Sequence, residues 1–224
     1  MSYGERRVRG TSGGSLGEDG AVEKMGVGAT RAGSWGERKF AEVVDSSDLG
    51  LMPRWQSLRI PTSKGDKYRP DSDVDFAFAS GNTVVLLDVK NWKGGFLWSM
   101  SGWVMDGFRR VKDRGGKPRK LGRNMAMAQY RYQKRIDLMR KTLGKRGAMP
   151  PPVTVVGMVV FVPNKRGVSP TSVRFLRFPG TVGSYTLDAG MRKLRRVLGK
   201  PKAGKDGHTK VNPAALKVLD SNVR

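Results

Sequence analysis

Apolar positions along the chain change period several times, and each change marks an element. Phe40, Val43 and Val44 recur on one helical face behind Ser34, so a first helix is expected to open near Ser34. Residues 74–80 alternate apolar and polar, Gly81-Asn82 punctuates them, and residues 83–90 then run apolar up to Asp88. This reads as two strands joined by a two-residue hairpin loop, and Gly in its first position suits a type II′ turn. FLWSM and WVMDG on either side of Ser101-Gly102 predict a second short hairpin. Ala128, Tyr132, Ile136, Met139 and Leu143 return at helical spacing until Gly144 and the prolines 150 to 152 stop them. Residues 153–162 are almost continuously apolar, as in a strand buried on both faces at the centre of a sheet. GMRKLRRVLG, from Gly190, predicts a short basic amphipathic helix, and Asn212-Pro213 can start a last one. Helices and strands are interspersed, which makes the class α/β; no internal repeat is visible.

At 224 residues the chain is long enough for one domain with extensions. Residues 1–33 are rich in Gly, Ser and charge without apolar periodicity and read as a flexible basic arm, residues 34–190 as the domain, and residues 191–224 as a basic helical tail. Lys and Arg number 43 against 19 Asp and Glu, for a formal charge of +24, so a polyanionic partner is the first expectation. The charge concentrates in residues 109–123, where eight basic residues stand against the single acid Asp113. With no Cys, the chain can build neither a disulfide scaffold nor a thiolate nucleophile, and His208 alone cannot make a histidine cluster. A metal would therefore be held by oxygen ligands, which favours Mg²⁺ or Mn²⁺. The start lacks the apolar run of a signal peptide, and the longest apolar stretch is about half the ~20 residues needed to span a bilayer. No membrane association is expected, and a cytoplasmic location is the default.

Counting back from the Gly81-Asn82 turn sets Ser80 opposite Thr83, Phe76 opposite Leu87, Asp75 opposite Asp88 and Asp73 opposite Lys90. Residues two apart share a face, so these four charged side chains fall in one patch, with opposed Cβ atoms ~4.5–5.5 Å apart. Carboxylates so close need a positive charge between them, which Lys90 or a divalent cation can supply. Two carboxylates with a lysine are suited to phosphodiester hydrolysis: a cation neutralises the scissile phosphate and an ammonium steadies the transition state. The alternative is a solvated strand face with a cross-strand Asp–Lys pair; the apolar run Val84 to Leu87, which leads straight into Asp88, argues against it. Glu37 likewise has two readings. Ser34-x-x-Glu37 is a capping box, yet Glu37 also shares a helical face with Phe40, Ala41 and Val44 and so points toward the protein.

Gly36-Glu37 opening a helix, Val74-Asp75 on one strand and the run Leu87-Asp88-Val89-Lys90-Asn91-Trp92-Lys93-Gly94 on the next together resemble the nuclease-related domain family. That family is placed in the restriction-endonuclease-like superfamily with its PD-(D/E)xK site. The resemblance spans about residues 34 to 162 and is strongest from Val74 to Gly94. It implies a mixed sheet flanked by helices and a metal-dependent nuclease. By position, Glu37 matches the family's helical acid, Asp75 the acid of the second strand, Asp88 and Lys90 the (D/E)xK pair, and Gln129 the Gln opening the following helix. Three departures stand out. Asp88 occupies a position where the family usually has Glu, and Phe76 one where it often has His. Met125 replaces a Pro, and the spacing from Asn124 to Gln129 is one residue longer than the family's; an ordinary polar helix residue is the other reading of Gln129.

These readings converge on a phosphodiester hydrolase acting on nucleic acid, with DNA the expected substrate. Asp75 and Asp88, assisted by Glu37, would hold Mg²⁺ or Mn²⁺, and Lys90 would position the nucleophile. Phosphate contacts are expected from Arg109, Arg110, Lys112, Arg114, Lys117, Arg119, Lys120 and Arg123 in the basic loop and from Arg131, Lys134 and Arg135 on the helix after it. Trp92, Trp98 and Trp103 are either stacking surfaces or core. A binding module without turnover, an RNA-associated structural protein and a structure-specific resolvase are the rival readings, and a homodimer is compatible with the enzyme reading.

Overall fold

The structure is a computed structural model and describes residues 8–9, 27–60, 72–92, 96–100, 103–106, 108–112, 116, 123–170, 182–199 and 209–223. Nine strands and four α-helices are present among them. A six-stranded mixed sheet runs in the order β1 (Val8–Arg9), β2 (Arg54–Ile60), β3 (Ser72–Ser80), β4 (Thr83–Asn91), β8 (Thr154–Val162), β9 (Gly183–Thr186). The two-residue β1 adds only an edge, and the other five strands form the body. Strands β5 (Leu97–Met100), β6 (Trp103–Asp106) and β7 (Arg109–Arg110) form a separate small antiparallel sheet. This is the α/β architecture, a mixed sheet flanked by helices, that the resemblance implies.

Each face of the large sheet buries its own core. Helix α1 (Val27–Asp45) and helix α3 (Leu187–Leu198) cover one face, packing Phe40, Val44, Met191 and Leu194 on Phe76, Phe78, Val85, Leu87 and Met158. Helix α2 (Arg123–Gly144) and helix α4 (Pro213–Asp220) cover the other, with Ala128, Tyr132, Ile136, Ala215 and Leu219 against Trp55, Ala77, Val84 and Leu86. Strand β4 is buried on both sides because β3 and β8 flank it and both cores use it, which explains its unbroken apolar run.

The hairpins follow the sequence reading closely. Ser80 pairs with Thr83 and Phe76 with Leu87 in the first, and Met100 with Trp103 in the second. Gly81 has φ of +55° while Asn82 stays at negative φ, the combination of a type II′ turn. Helix α1, by contrast, begins at Val27 rather than near Ser34, running through Gly33 and Gly36. At Gly36 close packing on Asn91 and Val162 offsets the low helix propensity of glycine, about 1 kcal/mol per residue. The C-terminal segment also differs from the expected tail. Leu194, Ala214 and Leu219 are fully buried, Trp55 Nε1 donates to Asp220 Oδ1 at 2.8 Å, and the backbone of residues 210–212 hydrogen-bonds to Gly81. Arg192, Arg195, Arg196 and Lys217 are exposed on the outside of helices that complete both cores. Among the described residues no helix is long and apolar enough to cross a membrane.

Candidate active site

The large sheet forks where the acids stand. Residue pairs between β3 and β4 run from Ser80↔Thr83 to Phe76↔Leu87 and stop there. Beyond that point β4 stays with β8 as far as Asn91↔Val162, while β3 stays with β2 as far as Ser72↔Ile60. The direct opposition of Asp75 to Asp88 and of Asp73 to Lys90 expected from the turn is thus not realised as strand pairing. A side chain has displaced the ladder: the Asp75 carboxylate accepts the Val89 N–H at 2.6 Å, so it lies close to the plane of the sheet and reaches across the gap.

A second irregularity sits beside it. In the β2–β3 ladder Gln56 pairs with Phe76 and Leu58 with Val74, but the Ser57–Asp75 step is missing. Trp55 and Leu58 face the same core, as do Val74 and Ala77, so both strands change phase at this step. Ser57 takes the change with φ of +52°, a buried non-glycine residue in the left-handed region. Such outliers persist only where surrounding structure over-determines them.

Asp88 and Lys90 share the face of β4 that carries Val84 and Leu86, the face under α2. Lys90 Nζ donates to Asp88 Oδ1 at 2.5 Å, with 34% of the lysine side chain and 17% of the aspartate exposed. Glu37 comes from the opposite layer. It lies well inside α1, so a capping role no longer accounts for it. What brings it to the fork is Gly36, where a Cβ would stand 3.1 Å from Asn91 Cβ and 3.3 Å from Val162 Cγ2. The missing side chain lets α1 close on the ends of β4 and β8.

The electrostatics report the same convergence. Burial, then the charge of Asp88 and, more weakly, that of Glu37 push Asp75 well above the usual carboxylate range, against the pull of Lys90 and the Val89 N–H. For Lys90, burial works against the ammonium, but Asp88, Asp75 and Glu37 outweigh it and hold its pKa above the ordinary lysine value. Lys90 is therefore the cation that makes a cluster of acids tolerable here. Among the described residues no group of three or more Asp, Glu, His or Cys side chains is tight enough to cage an ion. The donor set nonetheless suits a hard cation. Mg²⁺ commonly uses one or two carboxylates and keeps several waters, and Asp75 is a desolvated acid whose charge a cation would relieve.

The structure brings together Glu37, Asp75, Asp88 and Lys90. Gln129, by contrast, donates from Nε2 to Val155 O at 2.9 Å, and one turn on, Gln133 bonds to Val153 O and Val155 N. Both glutamines engage β8 before its pairing with β9 begins at Met158. Of the expected phosphate contacts, Arg109, Arg110, Lys112 and Lys134 are exposed. Arg131 is buried at 8% exposure and Arg135 is tied to Asn222 Oδ1, so neither stands on the surface as a ready phosphate ligand. Arg114, Lys117, Arg119, Lys120 and the side chain of Arg123 lie outside the described residues, as do the side chains of Trp98 and Trp103. Trp92 packs edge-on against Phe161, 6.3 Å between ring centres, on the α2-side core. Ser57 leaves no signal in the sequence, and Gly36 stands out there only beside Glu37, because a lone Ser or Gly does not announce a strained step or a close approach.

Searches of curated proteins and of solved structures return no significant match. A family model does match, that of the nuclease-related domain, over residues 32–162. The match takes in α1 from residue 32 onward, the forked hairpin and β8, hence all four converging residues, and it covers more than half of the chain. The chain belongs to the nuclease-related domain family.

Proposed function

We propose that this protein is a metal-dependent nuclease that hydrolyses phosphodiester bonds, with DNA as substrate. The observation that carries the reading is the convergence of Glu37, Asp75, Asp88 and Lys90, from a helix and two strands, at the fork between β3 and β4. A solvated strand face would not bury an acid beside two others. Asp75 and Asp88 are the residues that would hold Mg²⁺ or Mn²⁺, with Glu37 assisting. A divalent ion bound there neutralises charge on the scissile phosphate and lowers the pKa of a coordinated water.

The chain's own groups have definable tasks. Lys90 stays protonated across the neutral range, because three acids hold its proton. Its ammonium can align the attacking water oxygen and then stabilise charge on the phosphoryl oxygens as the bond to the leaving oxygen breaks. Asp75 is oriented by the Val89 N–H, and strand pairing of Asp88 with Val159 fixes the other acid. Glu37, on the far side of the fork, keeps both Asp75 and Lys90 under a negative field. Exposed Arg109, Arg110, Lys112 and Lys134 would engage phosphates around the site.

A second reading, a binding module without turnover, draws on one feature: Lys90 already neutralises Asp88. Cleavage assays separate the two. Single-stranded, duplex, nicked and branched DNA, and the RNA equivalents, are incubated with Mg²⁺ or Mn²⁺ and with chelator. Chelator-sensitive cleavage that disappears in Asp88→Asn and Lys90→Ala, both still binding, is the expected result. Wild-type protein that binds these substrates and cuts none of them would make the binding module the correct reading.

A further inference from the structure

The small sheet β5–β6–β7 is built outward from the catalytic strand. It begins at Leu97, a few residues beyond Asn91, and it anchors Leu97 and Val104 in the core under α2, on the face of β4 that carries Asp88 and Lys90. In its second hairpin Asp106 pairs with Arg109, so Phe108, between them in the chain, stands at the tip. There the side chain is 99% exposed, while Arg109, Arg110 and Lys112, next to it in the chain, are exposed as well. Single exposed apolar residues are ordinary on a protein surface. A fully exposed aromatic at a hairpin tip, followed in the chain by three exposed cations, is not.

Position along the chain ties this tip to the site. Asp106 pairs with Leu97, so the turn lies opposite Phe96, itself 48% exposed. Phe96 is six positions beyond Lys90, at most roughly 22 Å of extended chain. Phe108 is thus within about 30 Å of Lys90, less than one turn of duplex, ~34 Å. A nucleic acid engaged at the fork and running toward the small sheet would reach the tip within one turn.

We propose that Phe108 is a stacking wedge: its ring inserts at a base step of the bound nucleic acid, or stacks on an unpaired base, while Arg109, Arg110 and Lys112 hold the flanking phosphates. Inserted apolar side chains unstack a step and kink the duplex, and aromatic stacking accepts any base. The inference rests on nucleic acid being the substrate, as proposed above, and it specifies that the substrate is distorted or already unpaired within a turn of the scissile bond.

The test uses the full chain in chelator, so that it reads distortion and not cleavage. A 30-base-pair duplex carries 2-aminopurine at successive positions, and a matched duplex has one unpaired nucleotide. Wild-type protein should raise the fluorescence at one or two adjacent positions. Phe108→Ala should abolish the rise and weaken affinity for the unpaired-nucleotide duplex by about five- to 150-fold, the loss typical of a stacking aromatic. Phe108→Trp should restore both, and Asp88→Asn should still unstack. The proposal is overturned if Phe108→Ala unstacks like wild type, if wild type binds without unstacking or does not bind, or if the variant instead loses binding to phosphatidylserine vesicles. Failure of the nuclease reading would appear elsewhere, as unstacking by a wild-type protein that never cleaves in Mg²⁺.

Discussion

Replacing Asp75 with Asn should stabilise the metal-free protein while removing its activity. The exchange is nearly isosteric, and the amide oxygen can still accept the Val89 N–H that Asp75 takes at 2.6 Å. What it removes is a desolvated charge facing two acids and one ammonium. Asp88 perturbs Asp75 more than Lys90 does, and Glu37 adds to the repulsion, so something under one unit of like charge is left uncompensated. At an effective dielectric of ~20, a full unit charge at the ~5–8 Å typical of side chains on neighbouring strands is worth about 2–3 kcal/mol, so the gain is about 1–2 kcal/mol. For a domain of this size that corresponds to a rise in melting temperature of about 2–8 °C.

The pH dependence supplies a sharper check. The folded pKa of Asp75 is raised, so the folded chain holds this proton more tightly than the unfolded chain does. The stability it confers is fully present below the ordinary carboxylate pKa, ~3.9, and is lost as pH rises through the folded value. Asn does not titrate. The two proteins should therefore melt together in acid and diverge as pH climbs, with the variant the more stable at pH 8. Thermal unfolding followed by circular dichroism in chelator from pH 3 to pH 8 measures this. A variant that melts below wild type at pH 8 would refute the reasoning, because it would mean that Lys90 and the Val89 N–H more than repay the burial of the charge.

Three further outcomes follow from the geometry. Glu37→Gln should leave melting within about 2 °C of wild type, since its position inside α1 excludes a cap, yet cleavage should fall by an order of magnitude or more; a large melting change with unaltered cleavage would assign Glu37 a structural role. Gly36→Val places a Cβ 3.1 Å from Asn91 Cβ and should cost about 1–3 kcal/mol through overpacking while displacing Glu37, so that cleavage in Mg²⁺ drops even at temperatures where the variant is fully folded. Removing residues 209–224 should abolish cooperative thermal unfolding, because α4 buries Ala214, Ala215, Val218 and Leu219 and ties Trp55 through Asp220; a truncated protein that still melts cooperatively would make this segment the dispensable tail that its charge implies.

Much of the fold is legible because it rests on local rules. The Gly81-Asn82 turn fixes the register of β3 and β4, the spacing Ala128, Tyr132, Ile136 fixes the buried face of α2, and the apolar run of β8 announces a strand with cores on both sides. The misjudged elements depend on distant partners. Helix α1 extends to Val27 through glycines that local propensity would avoid, and the basic stripe Arg192, Arg195, Arg196 hides the buried face of Met191, Leu194 and Leu198 from a reading led by charge.

The site shows the same division more finely. Turn and alternation suffice to bring Asp75, Asp88 and Lys90 near one another, since both follow from period-two geometry and one hairpin. They do not reveal where the ladder stops, because a carboxylate that outcompetes a strand carbonyl for the Val89 N–H leaves no trace in the alternation of residue types. Nor does sequence reveal that Ser57 absorbs a phase change at φ of +52°. These two features shape the candidate site. Had pairing continued past Phe76↔Leu87, β3 and β4 would have closed the gap that Glu37 approaches from the α1 layer, and Asp88 and Lys90 would have remained an ion pair along one face of β4. The fork gives up ladder hydrogen bonds and burdens Asp75 with a poorly solvated charge, and in return it lets acids from two layers of the protein act on one point. A sheet with no task at this position would gain stability by zipping shut, which is why the fork, more than any single residue in it, marks the place where a substrate is expected.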